Sequence, residues 1–179
     1  MPKRVSLVIL CEDEMHQRFI NAFLHRVGMP SVGRARLERM QSKSAVFEAF
    51  PREVRALRKA HVQTRLIVVV DGDELTDAQI NDRLRRKLRE SDLEDTFEDE
   101  PVLIVRPRWE MENWALHLLG ESIEEDHRDD ARKNVGDRGR DAGRILADGC
   151  KARRLPVSPL PSMKHACIEW EAHRNRWNY

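Results

Sequence analysis

The fold of this chain is decided by the stretch Arg65-Leu66-Ile67-Val68-Val69-Val70-Asp71-Gly72-Asp73. Its run of consecutive branched aliphatic residues is typical of a short strand buried on both faces, as in a parallel sheet covered by helices. Asp71 and Asp73 then follow at the carboxyl end of the strand, where open α/β sheets place their ligands. We expect Gly72 to bend the backbone so that the two carboxylates converge. Such a pair suits Mg²⁺ or Mn²⁺, and the alternative is a turn in which Asp73 only caps the next helix.

Two further apolar runs, residues 5–11 and 101–105, have the same buried-strand character. Segments with helical spacing of apolar residues separate the three strands, so the sequence predicts an α/β fold with a mostly parallel sheet flanked by helices. We expect one domain, with an α/β core over residues 1–120. Residues 121–179 would add a charged loop, or a mobile segment, and a C-terminal helical extension packed on that core.

The pattern of apolar and charged residues leaves the structure or role of three segments open. Residues 32–40 fit either a modest strand or a loop, and the helix expected over 45–60 contains Pro51, which indicates a break or a new start. The helix expected from 76 to about 90 has an arginine-rich outer face. Such a face is either solvated or a contact for a polyanion.

The composition of the chain limits how it could bind nucleic acid and indicates where in the cell it would reside. The chain has 179 residues, 35% of them charged, and a net charge of +1, so nucleic-acid contacts must come from local patches rather than a global basic field. The three cysteines, Cys11, Cys150 and Cys167, lack CxxC spacing, which favours reduced thiols in a cytoplasmic protein. We find no signal peptide and no apolar run of membrane-spanning length, and so expect a soluble protein.

Acidic residues follow each of the three strands. Glu12 follows the first, Asp71 and Asp73 follow the second, and Glu110 or Glu112 follows the third. Because the carboxyl ends of parallel strands meet at one edge of a sheet, we expect these acids to form a cluster that requires divalent cations. The alternative is that the acids near residue 12 only favour the N-terminus of the next helix.

The order of a strand, a glutamate and a helix, then a strand and Asp-x-Asp, resembles the Toprim domain shared by topoisomerases, primases and the overcoming-lysogenization-defect nucleases. More narrowly, residues 11–19 resemble the opening Glu-Gly-x-Thr-Glu-x-x-Phe signature of small Toprim-like proteins from bacterial defence loci. Residues 70–76 are similar to their Asp-x-Asp-x-x-Thr stretch, and residues 106–114 to their Pro-x-x-x-x-Glu-x-Trp segment. Residues 161–166 resemble the start of their final helix.

This resemblance implies a metal-dependent nuclease with two Mg²⁺ or Mn²⁺ ions. It implies a role as the effector subunit of an anti-phage defence system, beside an SMC-like or AAA-type ATPase. DNA is the favoured substrate over RNA or tRNA, and homo-oligomerisation stays open. The implied metal ligands are Glu12, Asp71, Asp73 and Glu112.

The chain departs from the family pattern at two positions of the first motif. Asp13 stands in place of its glycine, and His16 in place of its second acid. His16 is then either a ligand or proton carrier near the metals, or an ordinary surface residue of the first helical turn. The family also tends to carry a basic residue that stabilises phosphate charge, for which Arg140 and, as a second choice, Lys164 are the candidates. Either could equally serve surface solubility.

The departures at Asp13 and His16 support an alternative function. The chain would then be a catalytically degenerate Toprim-like subunit that docks in an ATPase complex or binds nucleic acid. The late aromatic residues Trp170, Trp177 and Tyr179 would be a docking surface in that case, although tryptophan at helical spacing is more often part of a core.

Overall fold

A computed structural model describes residues 5–29, 35–60, 62–126, 135, 138–155 and 158–177. Strands and helices alternate along the first two thirds of the chain, and two helices follow. The strands are β1 (Val5–Cys11), β2 (Arg36–Arg39), β3 (Gln63–Val69) and β4 (Val102–Val105). The helices are α1 (Glu14–Val27), α2 (Lys43–Lys59), α3 (Asp77–Glu90), α4 (Met111–Leu118), α5 (Arg138–Ala152) and α6 (Pro161–Trp177).

The four described strands form one parallel sheet in the order β2-β1-β3-β4. The central pair, β1 and β3, is in register over its whole length, with Ile9 opposite Ile67, and Val68 of β3 lies opposite Ile104 of β4. The predicted α/β fold with a parallel sheet and a C-terminal helical extension is confirmed, and its topology is Rossmann-like.

The sheet is buried on both faces because its strands are apolar at successive positions. Leu7, Ile9 and Cys11 of β1 point to one face, where they pack with helices α1, α4, α5 and α6. Val8 and Leu10 point to the other face, where they pack with α2 and α3. This alternation explains why the strands read as continuous apolar runs.

The last two helices belong to the first of these two clusters. α5 lies so close to α1 that a Cβ on Gly143 would be 2.3 Å from the Phe19 carbonyl oxygen. From α6, Trp170 is 4% exposed and Trp177 is 2% exposed. These two tryptophans are therefore part of the core, and their interpretation as a docking surface is wrong. Tyr179 lies outside the described residues.

The expectation of three reduced thiols is wrong for two of them. Cys150 of α5 and Cys167 of α6 form a disulfide, with their Cα atoms 5.2 Å apart. The two helices approach each other at this point, which brings together thiols that are 17 residues apart in sequence. Cys11 is a free thiol, and burial raises its pKa to about 12.

Local structure resolves the ambiguous segments of the sequence. Within 32–40, residues 36–39 form the edge strand β2. The break expected at Pro51 is wrong, because α2 runs through this buried proline while its neighbours Val46, Phe50 and Val54 pack against the sheet. Most of the loop expected at 121–139 lies outside the described residues. None of the described helices is both long enough and apolar enough to span a membrane.

Candidate functional site

The candidate site lies where the strand order of the sheet reverses. β2 lies on one side of β1, whereas β3 and β4 lie on its other side. In open α/β sheets this switch point leaves a crevice outside the carboxyl ends of the strands, and ligands bind there. Glu12 directly follows β1, and Asp71 follows β3 after one intervening residue, so both stand at this crevice.

Glu12 holds the ends of β1 and β3 together. Its carboxylate oxygen Oε1 accepts a hydrogen bond from the backbone N–H of Asp71, with 2.9 Å between nitrogen and oxygen. The helix cap of α1 is Asp13, whose Oδ1 accepts from the His16 N–H at 2.9 Å. Burial, followed by the nearby Asp71 carboxylate, raises the pKa of Glu12 to about 6. The alternative in which the acids only favour a helix N-terminus therefore applies to Asp13 and not to Glu12.

His16 is buried beside these acids, with only 1% of its side chain exposed. Its interpretation as a surface residue of the first helical turn is wrong. The ring atom Nε2 lies 2.9 Å from Asp71 Oδ1, and Nδ1 lies 3.5 Å from Asp13 Oδ1. Burial acts to lower the pKa of His16, but the Asp71 carboxylate outweighs it and the pKa is raised to about 9. His16 is consequently a cation at neutral pH, in contact with the acid that follows β3.

Asp71 is the carboxylate on which the contacts of the site converge. Besides the His16 ring, its Oδ1 accepts a hydrogen bond from the backbone N–H of Met111 at 2.9 Å. Met111 is the first residue of α4, where the partial positive charge of the helix N-terminus favours a carboxylate. Asp71 thus connects β3 to α1 and α4, and 15% of its side chain is exposed.

Glu112 adds a third acid to this group from the first turn of α4. Burial, aided by the carboxylates of Asp71 and Asp13, raises the pKa of Glu112 to about 7 against the lowering effect of its own backbone N–H. Glu110, the other candidate, occupies the N-cap position of α4. Raised pKa values at clustered carboxyls are typical of sites that bind cations or hold protons.

Asp73 is directed to a different partner. Its carboxylate forms an ion pair with the Lys43 ammonium group at the start of α2, and the same Nζ lies 3.3 Å from the Gly72 carbonyl oxygen. Asp73 has a left-handed φ of 50°, so the chain turns after Gly72 instead of continuing along the strand direction. Asp71 and Asp73 thus have different partners, and their expected convergence stays a prediction. The capping role for Asp73 is wrong, because Thr76 caps α3.

Gly72 is required by a close backbone approach rather than by a bend. A Cβ at this position would lie 2.3 Å from the Arg108 carbonyl oxygen. The Gly72 N–H donates to the Pro107 carbonyl at 2.9 Å, and the Asp73 N–H donates to the Trp109 carbonyl at 3.0 Å. The segments that follow β3 and β4 thus stay paired beyond the sheet, and this fixes the positions of both aspartates.

The two candidate basic residues lie elsewhere on the surface. Arg140 is exposed and lines a groove between α1 and α5, together with Arg18, Arg26 and Arg144. Lys164 is exposed in the first turn of α6. Among the described contacts, none joins either side chain to the acids of the crevice.

Lys43 is the contact residue that sequence reasoning missed. It is the first residue of α2, just after the segment whose structure the pattern left undecided. No periodicity marks a lysine that reaches back over a neighbouring strand to Asp73, since the two residues are 30 positions apart. The Met111 N–H was missed for a similar reason, because a backbone donor leaves no mark in a sequence.

No family model, curated protein or solved structure matches this chain. The fold and the site define a class of protein, namely a Rossmann-like α/β protein with an acidic crevice at its switch point. The likeness to Toprim proteins remains a prediction that depends on the sequence motifs.

The donor set of the crevice consists of hard carboxylate oxygens, which are the ligands that Mg²⁺ and Mn²⁺ prefer. Glu12 Oε1 and Asp71 Oδ1 accept backbone hydrogen bonds that hold both carboxylates in place, and these two groups would hold a cation in the crevice. Within the described part of the chain, no three His, Cys, Asp or Glu side chains already form a group that could hold a metal ion. The chemistry of Glu12, Asp71 and Glu112 nevertheless fits such an ion.

Proposed function

We propose that this chain is a metal-dependent nuclease of Toprim type that hydrolyses phosphodiester bonds. The observation that supports it best is the grouping of Glu12, Asp71 and Glu112 at the carboxyl ends of the strands, where the pKa values of the two glutamates are raised to about 6 and about 7. Acids that disfavour one another's charge contribute little to folding, and a bound divalent cation relieves their repulsion.

Glu12, Asp71 and Glu112 would hold Mg²⁺ or Mn²⁺, and Asp73 would join them if it were released from Lys43. A metal ion bound there supplies an activated water and stabilises the charge that develops on the phosphate. His16 keeps Asp71 in place from the α1 side, and the Met111 N–H does so from the α4 side.

The proposed context is an anti-phage defence complex in which an SMC-like or AAA-type ATPase is the partner and DNA rather than RNA or tRNA is cut. The net charge of +1 agrees with this arrangement. A protein that makes few phosphate contacts of its own gains little from counterion release, so its partner would supply most of the nucleic-acid affinity. A homo-oligomer is compatible with the same arrangement.

The test is a cleavage assay with plasmid, single-stranded DNA and tRNA in Mg²⁺ or Mn²⁺. We expect Asp71→Ala to abolish cleavage, and Asp73→Ala to do so if Asp73 is a ligand. The matched control is Asp82→Asn, an exposed acid on α3 that is outside the crevice and should cleave as wild type does. Full cleavage by Asp71→Ala in metal-containing buffer would exclude the proposed site.

Metal binding can be tested without any substrate. A ligand that binds only the folded state stabilises it by RT ln(1 + [L]/Kd), about 2.7 kcal/mol at a hundred times Kd. We expect Mn²⁺ to raise the melting temperature of the wild type and of Asp82→Asn, and not that of Asp71→Ala. An equal shift in all three proteins would show that the metal binds somewhere else.

The alternative is a degenerate Toprim-like subunit that docks in such a complex or binds nucleic acid without cutting it. Two contacts favour it, because Asp71 is paired with the His16 cation and Asp73 with Lys43. Both acids are then balanced without metal. Under this alternative, Glu12→Gln would change only the stability of the protein. The nuclease proposal predicts instead that Glu12→Gln loses both cleavage and the Mn²⁺ shift in melting temperature.

A further inference from the structure

A hollow of about 560 Å³ opens next to the acidic crevice, on the face of the sheet that α2 and α3 cover. Lys43, which lines the hollow, is also close enough to the crevice to lower the pKa of Glu12, so the hollow lies beside the crevice. Its volume is within the range of about 300–1,000 Å³ that is typical of small-molecule pockets. The ion pair of Lys43 and Asp73 lies at its rim, and the rest of its lining has no role in the proposed metal site.

One wall of the hollow is aromatic and apolar. It is formed by Trp109, which follows β4, together with Phe47 of α2 and Leu75 of the loop before α3. The indole Nε1–H of Trp109 is shielded from solvent and has no hydrogen-bond partner in the described part of the chain. Because that nitrogen is shielded, the ring of Trp109, and not its N–H donor, is what the hollow offers to a ligand.

The charges around the hollow cancel. Lys43 and Arg83 contribute two cations, and Asp73 and Glu74 contribute two anions. A free phosphate or another polyanion would meet as much repulsion as attraction in such a setting. A neutral, planar ligand with polar edges fits the combination of an aromatic wall and balanced charges, since the long side chains offer both donors and acceptors.

We propose that this hollow binds an unpaired nucleobase of the nucleic-acid strand whose phosphate lies at the acidic crevice. The base stacks against the Trp109 ring, and the polar edge of the base meets the charged side chains that line the hollow. Base–aromatic stacking is largely independent of sequence, because every base has a π-face. The inference rests on the proposed function for the identity of the strand, and it adds that the substrate is single-stranded or locally opened next to the scissile bond.

The test measures binding in EDTA, so it is independent of cleavage. The probes are fluorescein-labelled single-stranded 12-mers of DNA, one carrying bases and one fully abasic, and their dissociation constants are measured by fluorescence anisotropy. We expect the wild type to prefer the base-carrying strand. Trp109→Ala should weaken binding of that strand by about 5- to 150-fold and leave binding of the abasic strand unchanged.

Three further variants separate the pocket from a change in folding or net charge. Trp109→Phe keeps a ring in the wall and should retain most of the preference for bases. Arg83→Gln removes a rim cation and should weaken binding of the base-carrying strand, whereas Arg86→Gln on the same helix is the charge-matched control and should bind as wild type does.

The outcomes for the two proposals can be distinguished. If the wild type binds base-carrying and abasic strands equally, or if Trp109→Ala retains the wild-type preference, the pocket proposal is overturned, whatever the cleavage assay shows. If Trp109→Ala loses the preference while no metal supports cleavage, the pocket stands and the nuclease proposal fails. If Trp109→Ala lowers the melting temperature, Trp109→Leu takes its place in the assay. We expect the same loss of preference for the base-carrying strand.

Discussion

The contact between His16 and Asp71 allows the sharpest quantitative prediction, which concerns stability in metal-free buffer. We consider His16→Ala, Asp71→Asn and the double variant as a thermodynamic cycle. His16→Ala removes the cation whose Nε2 lies 2.9 Å from Asp71 Oδ1 and leaves that carboxylate beside Glu12 and Glu112. Asp71→Asn removes the charge but keeps an oxygen that can accept the Met111 N–H.

The expected loss of stability follows from the burial of the ion pair between His16 and Asp71. Removing one partner of a buried ion pair costs about 3–5 kcal/mol, because the other charge stays uncompensated. Asp71 keeps 15% exposure, so we expect a value near the lower end for His16→Ala. In a protein of this size, about 3 kcal/mol corresponds to a fall of roughly 6–12 °C in melting temperature. In the Asp71→Asn background the carboxylate nearest to His16 is already gone, so the same substitution should cost less, and the coupling energy should be about 1–3 kcal/mol.

The assay is urea unfolding of the four proteins in EDTA at pH 7, followed by circular dichroism. His16→Gln is the matched control, since it keeps a neutral side-chain donor and separates the hydrogen bond from the charge. If the two single effects add within about 0.5 kcal/mol in the double variant, His16 and Asp71 do not interact as described, and the reasoning is refuted.

The same cycle has a predicted pH dependence. The pKa of His16 is raised from its ordinary value of 6.5 to about 9 in the folded protein. The stability gained from its proton is therefore fully present below pH 6.5 and is lost as the pH rises through 9. Since a difference of one in pKa corresponds to about 1.4 kcal/mol, the loss is about 3 kcal/mol in the wild type. It should be absent in His16→Ala, and a wild-type stability that is flat between pH 6 and 10 would contradict the buried imidazolium.

Three other outcomes test separate parts of the structure. The pKa of Glu112 is raised from 4.5 to about 7, so its contribution to stability is present below pH 4.5 and lost as the pH rises through 7. Glu112→Gln should therefore lessen the fall of the urea midpoint between pH 4.5 and 8 in EDTA, and an equal fall in both proteins would contradict the raised pKa. Gly72→Ala places a Cβ 2.3 Å from the Arg108 carbonyl oxygen and should cost about 1–3 kcal/mol, so an unchanged urea midpoint would exclude that close approach. Dithiothreitol should destabilise the wild type by about 3 kcal/mol through the bond between Cys150 and Cys167, and should leave Cys150→Ser unaffected.

The local pattern of the sequence was enough to predict β1, β3, β4 and most helices, and it left β2 open between a strand and a loop. Runs of branched aliphatic residues such as 66–70 can only be buried on both faces, and this requires a parallel sheet between layers of helices. The capping residue Thr76 and the αL glycine Gly28 mark helix ends through contacts with near neighbours in the chain. Features of this kind depend on a few adjacent residues, and for that reason sequence reasoning recovers them.

The partners of the site residues were decided by the tertiary structure alone. Lys43 reaches Asp73 across 30 positions of sequence, and His16 reaches Asp71 across 55. The disulfide between Cys150 and Cys167 likewise depends on how α5 packs against α6.

The sequence was enough to predict that the acids lie at the carboxyl ends of the strands, because the direction of the chain fixes which end of each strand they follow. It could not assign their contacts, because a side chain finds its partner only after the sheet order β2-β1-β3-β4 has set which helix ends surround the crevice. A backbone donor such as the Met111 N–H has no signature in the sequence at all. The chain alone therefore determined the fold class and the edge of the sheet at which acids collect, and three-dimensional packing decided which charge faces which.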